Sequence, residues 1–416
     1  MALPVILFNA STGSDTAASG AGPASAISGT AAAHTGGSAS TTITLTGSPD
    51  LSGVATDGSA CLWLKTTSGR QFSKITGVDN SDKTVTVEDS FTIALASAVD
   101  YAIGGKRATF GDVDSRLLFS TDIKAGWIAQ TETDQTVSSA ITFANSAGNS
   151  TEGPITVRGS VPHKVVTQTA NAAVFSSATY HKDGWFFENL KFQNTNGTKT
   201  SAVGLRLYGN HTYYYRNCIF GDSANRLLSA ISKADGVAAA VFVDCEIQHC
   251  TSDGKPQFAG SPATFLRCSI HHNGRHGIAS NTDAIILRDS LVWANVSIGV
   301  QLVYAAIHTS LANCIICGNG SHGLSTYKTC HLVGNVFAGN GGYGILGGET
   351  VGLLGCAGSC NAFYGNTSGD RFLFPAAADD ITLTADPFVD AANGDFNIND
   401  TAGGGAALRA VTRTIP

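Results

Sequence analysis

From about Trp185 to Asn366 the chain repeats a short block in which apolar and polar side chains alternate, at a period of about 21–28 residues. The best-kept piece reads polar-Cys-apolar-apolar. Asn217-Cys218-Ile219-Phe220, Asp244-Cys245-Glu246-Ile247, Arg267-Cys268-Ser269-Ile270 and Asn313-Cys314-Ile315-Ile316 are copies of it. Gly334-Asn335-Val336-Phe337 is a variant, and Arg288-Asp289-Ser290-Leu291 a degenerate copy. Asn189-Leu190-Lys191-Phe192 and Cys360-Asn361-Ala362-Phe363 are the outer ones. A second element, Asn-x-x-x-Gly plus an aliphatic residue, runs from Asn273 to Ile278 (shifted by one residue), Asn295 to Val300, Asn319 to Leu324 and Asn340 to Ile345.

These blocks are rich in β-branched and aromatic residues and bounded by Gly and Asn, which is strand punctuation. No stretch from Gly126 to Asn366 sustains a helical apolar stripe. Two or three strands with their turns fill one coil of a parallel β-helix, each coil stacked about 4.8 Å from the last. Side chains alternate along a strand, so Cys218 and Phe220 face inward and Ile219 outward. The expectation is an internal column of Cys218, Cys245, Cys268 and Cys314, interrupted at Asp289. The turn Asn and Gly residues are expected to serve left-handed backbone.

This repeat resembles the right-handed parallel β-helix superfamily, which includes pectate-lyase-like enzymes and bacteriophage tailspikes. The resemblance covers about two-thirds of the chain and implies an all-β, right-handed, single-stranded parallel β-helix over 126–399. Asp386 to Phe396, then Thr401 to Gly405, resembles the closing segment of such helices, here read as a polar cap with a tail at 400–416.

Ahead of the coils, 1–40 is dominated by Ser, Thr, Gly and Ala and reads as a flexible or extended arm. Short strands at about 10-residue spacing over 41–103 predict a small β sandwich or barrel. Residues 104–125 read as hinge and cap, with a short helix at 115–123 covering the first rung. A β domain before a β-helix resembles the particle-attachment domain of tailspikes.

Composition sharpens this. Net charge is −6 without charge runs, which argues against a nucleic-acid partner. No apolar run reaches the ~18–20 residues of a membrane span. The apolar start, Met1 to Phe8, lacks a basic segment and contains Pro4, so it makes a poor signal peptide. The 10 cysteines suit reduced, stacked thiols better than bridges, with Cys356 and Cys360 the pair to watch. Together these points favour a virion over an exported enzyme.

Candidate chemistry lies on the solenoid, which holds all but one of the 11 histidines. Counting four residues past the Cys position gives His249, His272 and, through the degenerate copy, Trp293. Such a strip would offer sugar rings both stacking and hydrogen bonds, and an ordinary turn ladder explains the same residues. Arg275 and His276 are candidates for an acidic sugar. Asp244 and Glu246 share an outer face and form a candidate catalytic pair, with Arg267 and Arg288 on following rungs able to neutralise Asp244. No residues point to a metal or cofactor.

The expected function is a phage tailspike or tail appendage, a homotrimer that engages host-surface polysaccharide and joins other virion proteins through its N-terminal domain. The alternatives are a polysaccharide depolymerase (hydrolase or lyase) and a capsid-decorating protein that binds no glycan.

Overall fold

The computed structural model describes residues 5–8, 27–31, 40–57, 60–66, 69–91, 99–103, 128–137, 141–143, 155–169, 175–177, 185–195, 205–206, 212–223, 229–230, 239–249, 257–258, 262–280, 284–303, 309–327, 329–348 and 357–410. The proposed hinge, its capping helix and Cys356 lie outside them. The chain forms two compact units, 1–167 with 177–190 and 168–176 with 191–416.

In the first unit, Ile27–Ala31, Ser40–Thr44, Cys61–Thr66, Gly69–Asp79, Thr84–Phe91 and Val99–Ile103 form an antiparallel six-stranded sheet. Its edge strands meet through an antiparallel bridge between Ala31 and Leu45, which closes the sheet on itself. Alternate residues such as Leu62 and Leu64, and Val85 and Val87, fill its core. Two stretches within the first forty residues are strands, not a free arm. Ile27–Ala31 pairs with Val99–Ile103, and Val5–Phe8 runs parallel to Ile128–Thr131. Ile27–Ala31 carries little apolar pattern of its own, and the apolar run Val5–Phe8 stands isolated in sequence from the strand it pairs with.

The second unit is a parallel β-coil with three faces. One sheet stacks Thr212–Arg216, Ala239–Val243, Ala263–Leu266, Ile285–Arg288, Thr309–Ala312, Cys330–Val333 and Ala357–Ser359 in chain order. A second stacks Ile219–Ser223, Glu246–Gln248, Ser269–His271, Leu291–Trp293, Ile315–Cys317, Val336–Ala338, Ala362–Tyr364 and Ile381–Thr382. The third runs from Ser229–Ala230 to Gly369–Phe372. Between the first two sheets a left-handed residue turns each coil: Asn217, Asp244, Arg267, Asp289 and Asn313 all have φ between 50° and 54°.

Aromatic rings stack inside, Tyr215 on Phe242 and Phe242 on Phe265, each at 4.8 Å between centroids. The thiols of Cys218, Cys245, Cys268 and Cys314 are buried, and none of the four is in a disulfide. Register corrects the degenerate copy. Ser269 pairs Leu291 and Leu291 pairs Ile315, so Ser290, not Asp289, sits between Cys268 and Cys314. Its hydroxyl accepts the Cys268 N–H at 3.0 Å. Asp289 stands in the exposed turn column instead, where it accepts from Asn313.

The repeated Asn-x-x-x-Gly also has another cause than left-handed turns, and its first copy is not shifted. Asn273, Asn295, Asn319, Asn340 and Asn366 form a buried ladder, each amide nitrogen donating to the next side-chain oxygen at 2.9–3.0 Å. The Gly that follows is required by close approach. A Cβ on Gly277 would stand 2.6 Å from the carbonyl oxygen of Gly299. The column of Cys218 and Cys314 ends in Asn335, Asn361 and Asp380, which Arg371 closes through an ion pair.

The closing segment is not a cap on the last coil. Phe388–Asp390 and Asp395–Ile398 form a hairpin, followed by the helix Gly405–Ala410. Phe388 and Leu408 pack with Cys317, Val336, Ala338, Ala362 and Leu383, so the segment lies along the outer face of the second sheet.

Candidate functional site

The outer face of the second sheet changes character along its length. Two columns point outward. One reads Glu246, Ser269, Leu291, Ile315, Val336 and Ala362, and the other Gln248, His271, Trp293, Cys317, Ala338 and Tyr364. From Leu291 onward both are largely apolar, and the C-terminal segment packs on them. Before it they are polar. Trp293 stands at the boundary, met edge-on by Phe396 of the hairpin at 5.4 Å. Beside it a cleft of about 370 Å³ is lined by Trp293, Gly318, Gly339, Tyr364, Asp386 and Phe388, within the size range of small-ligand sites.

On the polar side the imidazoles gather. The rings of His249 and His272 lie 5.5 Å apart, both on left-handed turn residues (φ 49° and 53°) and both exposed. His271 stacks on Trp293 at 4.7 Å, and His272 meets Trp293 edge-on at the same distance. Contact among His249, His272 and Trp293 is therefore real, but the register is one residue off the count. Trp293 pairs with His271, and Ala294 follows His272 in the turn column. The slip has the same source as the Asp289 misplacement.

His271 is the residue the count missed. It is 8 % exposed. Its Nε2 lies 2.8 Å from Glu246 Oε1 and its Nδ1 2.8 Å from His272 Nδ1. The adjacent pair His271-His272 was the available signal, since a left-handed turn at His272 breaks the strand alternation and brings both rings to one side. Burial, then the nearby His271 and His249, holds His272 below the ordinary histidine range.

The other predicted residues fall elsewhere. Asp244 is gripped by Arg267 through two hydrogen bonds, 2.7 and 2.9 Å, which hold its carboxyl below the usual range. The charge ladder thus engages Asp244, and Glu246 faces His271, so both carboxylates of the proposed catalytic pair have partners. Arg288 is not in that ladder, because it lies in the first sheet opposite Leu266 and Ala312. Arg275 is exposed on the following turn. His276 is buried, and its Nδ1 accepts the Ile298 N–H at 3.3 Å. His322 does the same for Tyr343 one step along, which makes this a structural position. Among the described residues no three His, Cys, Asp or Glu side chains are placed to hold a metal ion. No described helix is long and apolar enough to cross a membrane.

Residues 173–357 match the family model of the right-handed β-helix region, so the parallel coil is a right-handed β-helix. No curated protein sequence matches the chain. Among solved structures, it is similar to the A-module of a mannuronan C-5 epimerase of Azotobacter vinelandii, at 14% identity over 62% of this chain and 91% of that one, with a TM-score of 0.42. It is similar to the Dettilon tailspike protein at 12% identity over 62% and 60% of the two chains, TM-score 0.27. It is also similar to the catalytic domain of a GH87 α-1,3-glucanase complexed with nigerose, at 8% identity over 88% and 90%, TM-score 0.25.

Proposed function

We propose that this protein binds a polysaccharide on the outer face of its β-helix, as a tailspike or tail appendage of a bacteriophage. The observation that carries the binding reading is the contact cluster of His249, His271, His272 and Trp293 on the polar half of one sheet. Flat rings with polar edges match a sugar, which has apolar ring faces and hydroxyls around its rim. The packed C-terminal hairpin gives that strip a wall at Phe396. Trp293 serves as part of that wall, since His271 and Phe396 already occupy much of its surface. Catalysis by Asp244 and Glu246 is the weaker reading, because both are engaged by neighbouring side chains.

The tailspike reading is supported by chain order, an antiparallel β domain followed by a β-helix. Its N-terminal domain would attach to other virion proteins. A homotrimer belongs to the same reading, because closed cyclic symmetry suits a spike attached axially at one end.

Incubation with host-surface polysaccharides, following both retention and chain length, tests the reading. Retention without shortening, weakened several-fold by His272→Ala, is expected. Shortened chains would make the protein a depolymerase, and no retention across several hosts would favour a purely structural role.

A further inference from the structure

Glu246, His271 and His272 are wired in series, and the wiring dictates what the last nitrogen offers. An ionised carboxylate only accepts, so the proton between Glu246 Oε1 and His271 Nε2 belongs to the imidazole. The two Nδ1 atoms, 2.8 Å apart, share one proton. With both rings neutral, His271 Nδ1 is bare and His272 Nδ1 donates to it. That leaves His272 Nε2 as an acceptor on an exposed residue. If Nε2 takes up a proton, the Nδ1 proton can pass to His271. The charge then rests on His271 beside Glu246, and His272 presents an N–H. One proton inverts the hydrogen-bonding sense of the exposed atom without breaking an inner bond.

We propose that this relay makes the site a proton-switched glycan receptor, accepting a hydroxyl of uncharged sugar when deprotonated and donating to the carboxylate of an acidic sugar when protonated. The proposal rests on reading this face as the glycan site. His271 acts in it as a positioning residue, holding the tautomer of His272. The groups around the pair are consistent with such a switch. His249 and Glu246 face it from the preceding coil. Trp293 faces it from the next coil. The hairpin brings Phe396 to Trp293, while the nearby Asp395 carboxylate accepts from Asn397. Arg267 and Asp244 close on each other. Burial, then the nearby His271 and His249, holds His272 below the ordinary histidine range, which disfavours a charge on its own ring and favours passing the inner proton towards Glu246.

Histidine ¹⁵N NMR of the full chain, with His272→Gln identifying the signals, tests the relay without any ligand. At about pH 8 His272 should carry its proton on Nδ1, and Glu246→Gln should lower the midpoint of the pair by about 1 pH unit or more. The Nε2–H tautomer at that pH, or an unmoved midpoint, would overturn the proposal. Trigalacturonate and its methyl ester, which differ in charge on one backbone, then test the receptor. The ester should bind better at about pH 8, and the free acid should gain roughly tenfold towards about pH 5, a gain that Glu246→Gln removes. Equal pH dependence for the two probes would sink the switch. Expected spectra with no binding of either probe would refute the receptor while leaving the relay intact, and retention of host-surface polysaccharides by the same protein decides the glycan reading separately.

Discussion

Replacing Asn319 by Ala removes the middle step of the buried asparagine ladder. Asn319 is 1 % exposed. Its amide donates to Asn340 Oδ1 at 3.0 Å and to the Val292 carbonyl at 3.1 Å. Its own oxygen accepts the Asn295 N–H at 3.2 Å and the Asn295 amide at 2.9 Å. After truncation Asn340 Oδ1 keeps the backbone N–H of residue 319, and the Asn295 amide keeps the Ile270 carbonyl. The Asn295 N–H is left without an acceptor in the interior. One stranded donor costs about 1–3 kcal/mol, and the lost paired bonds add about 1 kcal/mol, for a total on the order of 3 kcal/mol. Because coils contact mainly their neighbours, the loss should be local. Hydrogen exchange read by mass spectrometry is therefore the assay. At ~1.4 kcal/mol per tenfold, exchange in peptides covering 292–302 and 316–326 should speed up roughly 150-fold. Asn397→Ala, an exposed site bonded only to Asp395, should change stability by no more than about 0.5 kcal/mol. Equal exchange in Asn319→Ala and the unmodified protein would refute the ladder as a source of stability.

Three further outcomes follow from the packing. Burial pushes the Cys314 and Cys317 thiols up to about 12 and raises Cys245, while the hydrogen bond with Cys245, then burial, raises Cys268, so a thiol reagent near pH 8 should leave these four unmodified until denaturant is added; rapid labelling of native Cys245, Cys268 or Cys314 would contradict the inward column, and of Cys317 the docked segment that covers it. Phe396→Ala should loosen the docked hairpin and red-shift the Trp293 emission, and an unchanged spectrum would mean that the hairpin does not shield the indole. Hydrogen bonds from Ser359 and Cys360 hold Asp379 down to about 2. A depressed carboxyl stabilises the fold above its unfolded value, and that contribution is lost as pH falls towards the folded value. Asp379→Asn should therefore flatten the decline in stability from about pH 5 to about pH 2, and an identical decline in the variant would refute the linkage.

How far the sequence alone reached depends on the range of the interaction involved. The coil was legible because its determinants are local. Alternation at Cys218-Ile219-Phe220 sets which side chains enter the core, and the period follows from stacking like on like. The contact of His249, His272 and Trp293 was legible for the same reason. Register through the degenerate copy was not, since a coil without Cys leaves a one-residue slip undecided, and only pairing of Leu291 with Ser269 and Ile315 resolves it. That pairing puts His271 on Trp293 and Ser290 in the thiol column. The repeated asparagines were visible as a pattern, but their role was decided by neighbours 21 to 26 residues away, which supply the ladder partners. The hairpin at 386–398 was read as an end cap because nothing within it names its partner. Its place on the second sheet was decided by the apolar stripe that Cys317, Val336, Ala338 and Ala362 form only once the coils are stacked. Burial of that stripe, a property of the assembled surface and of no single segment, sets the boundary at which Trp293 meets the histidines.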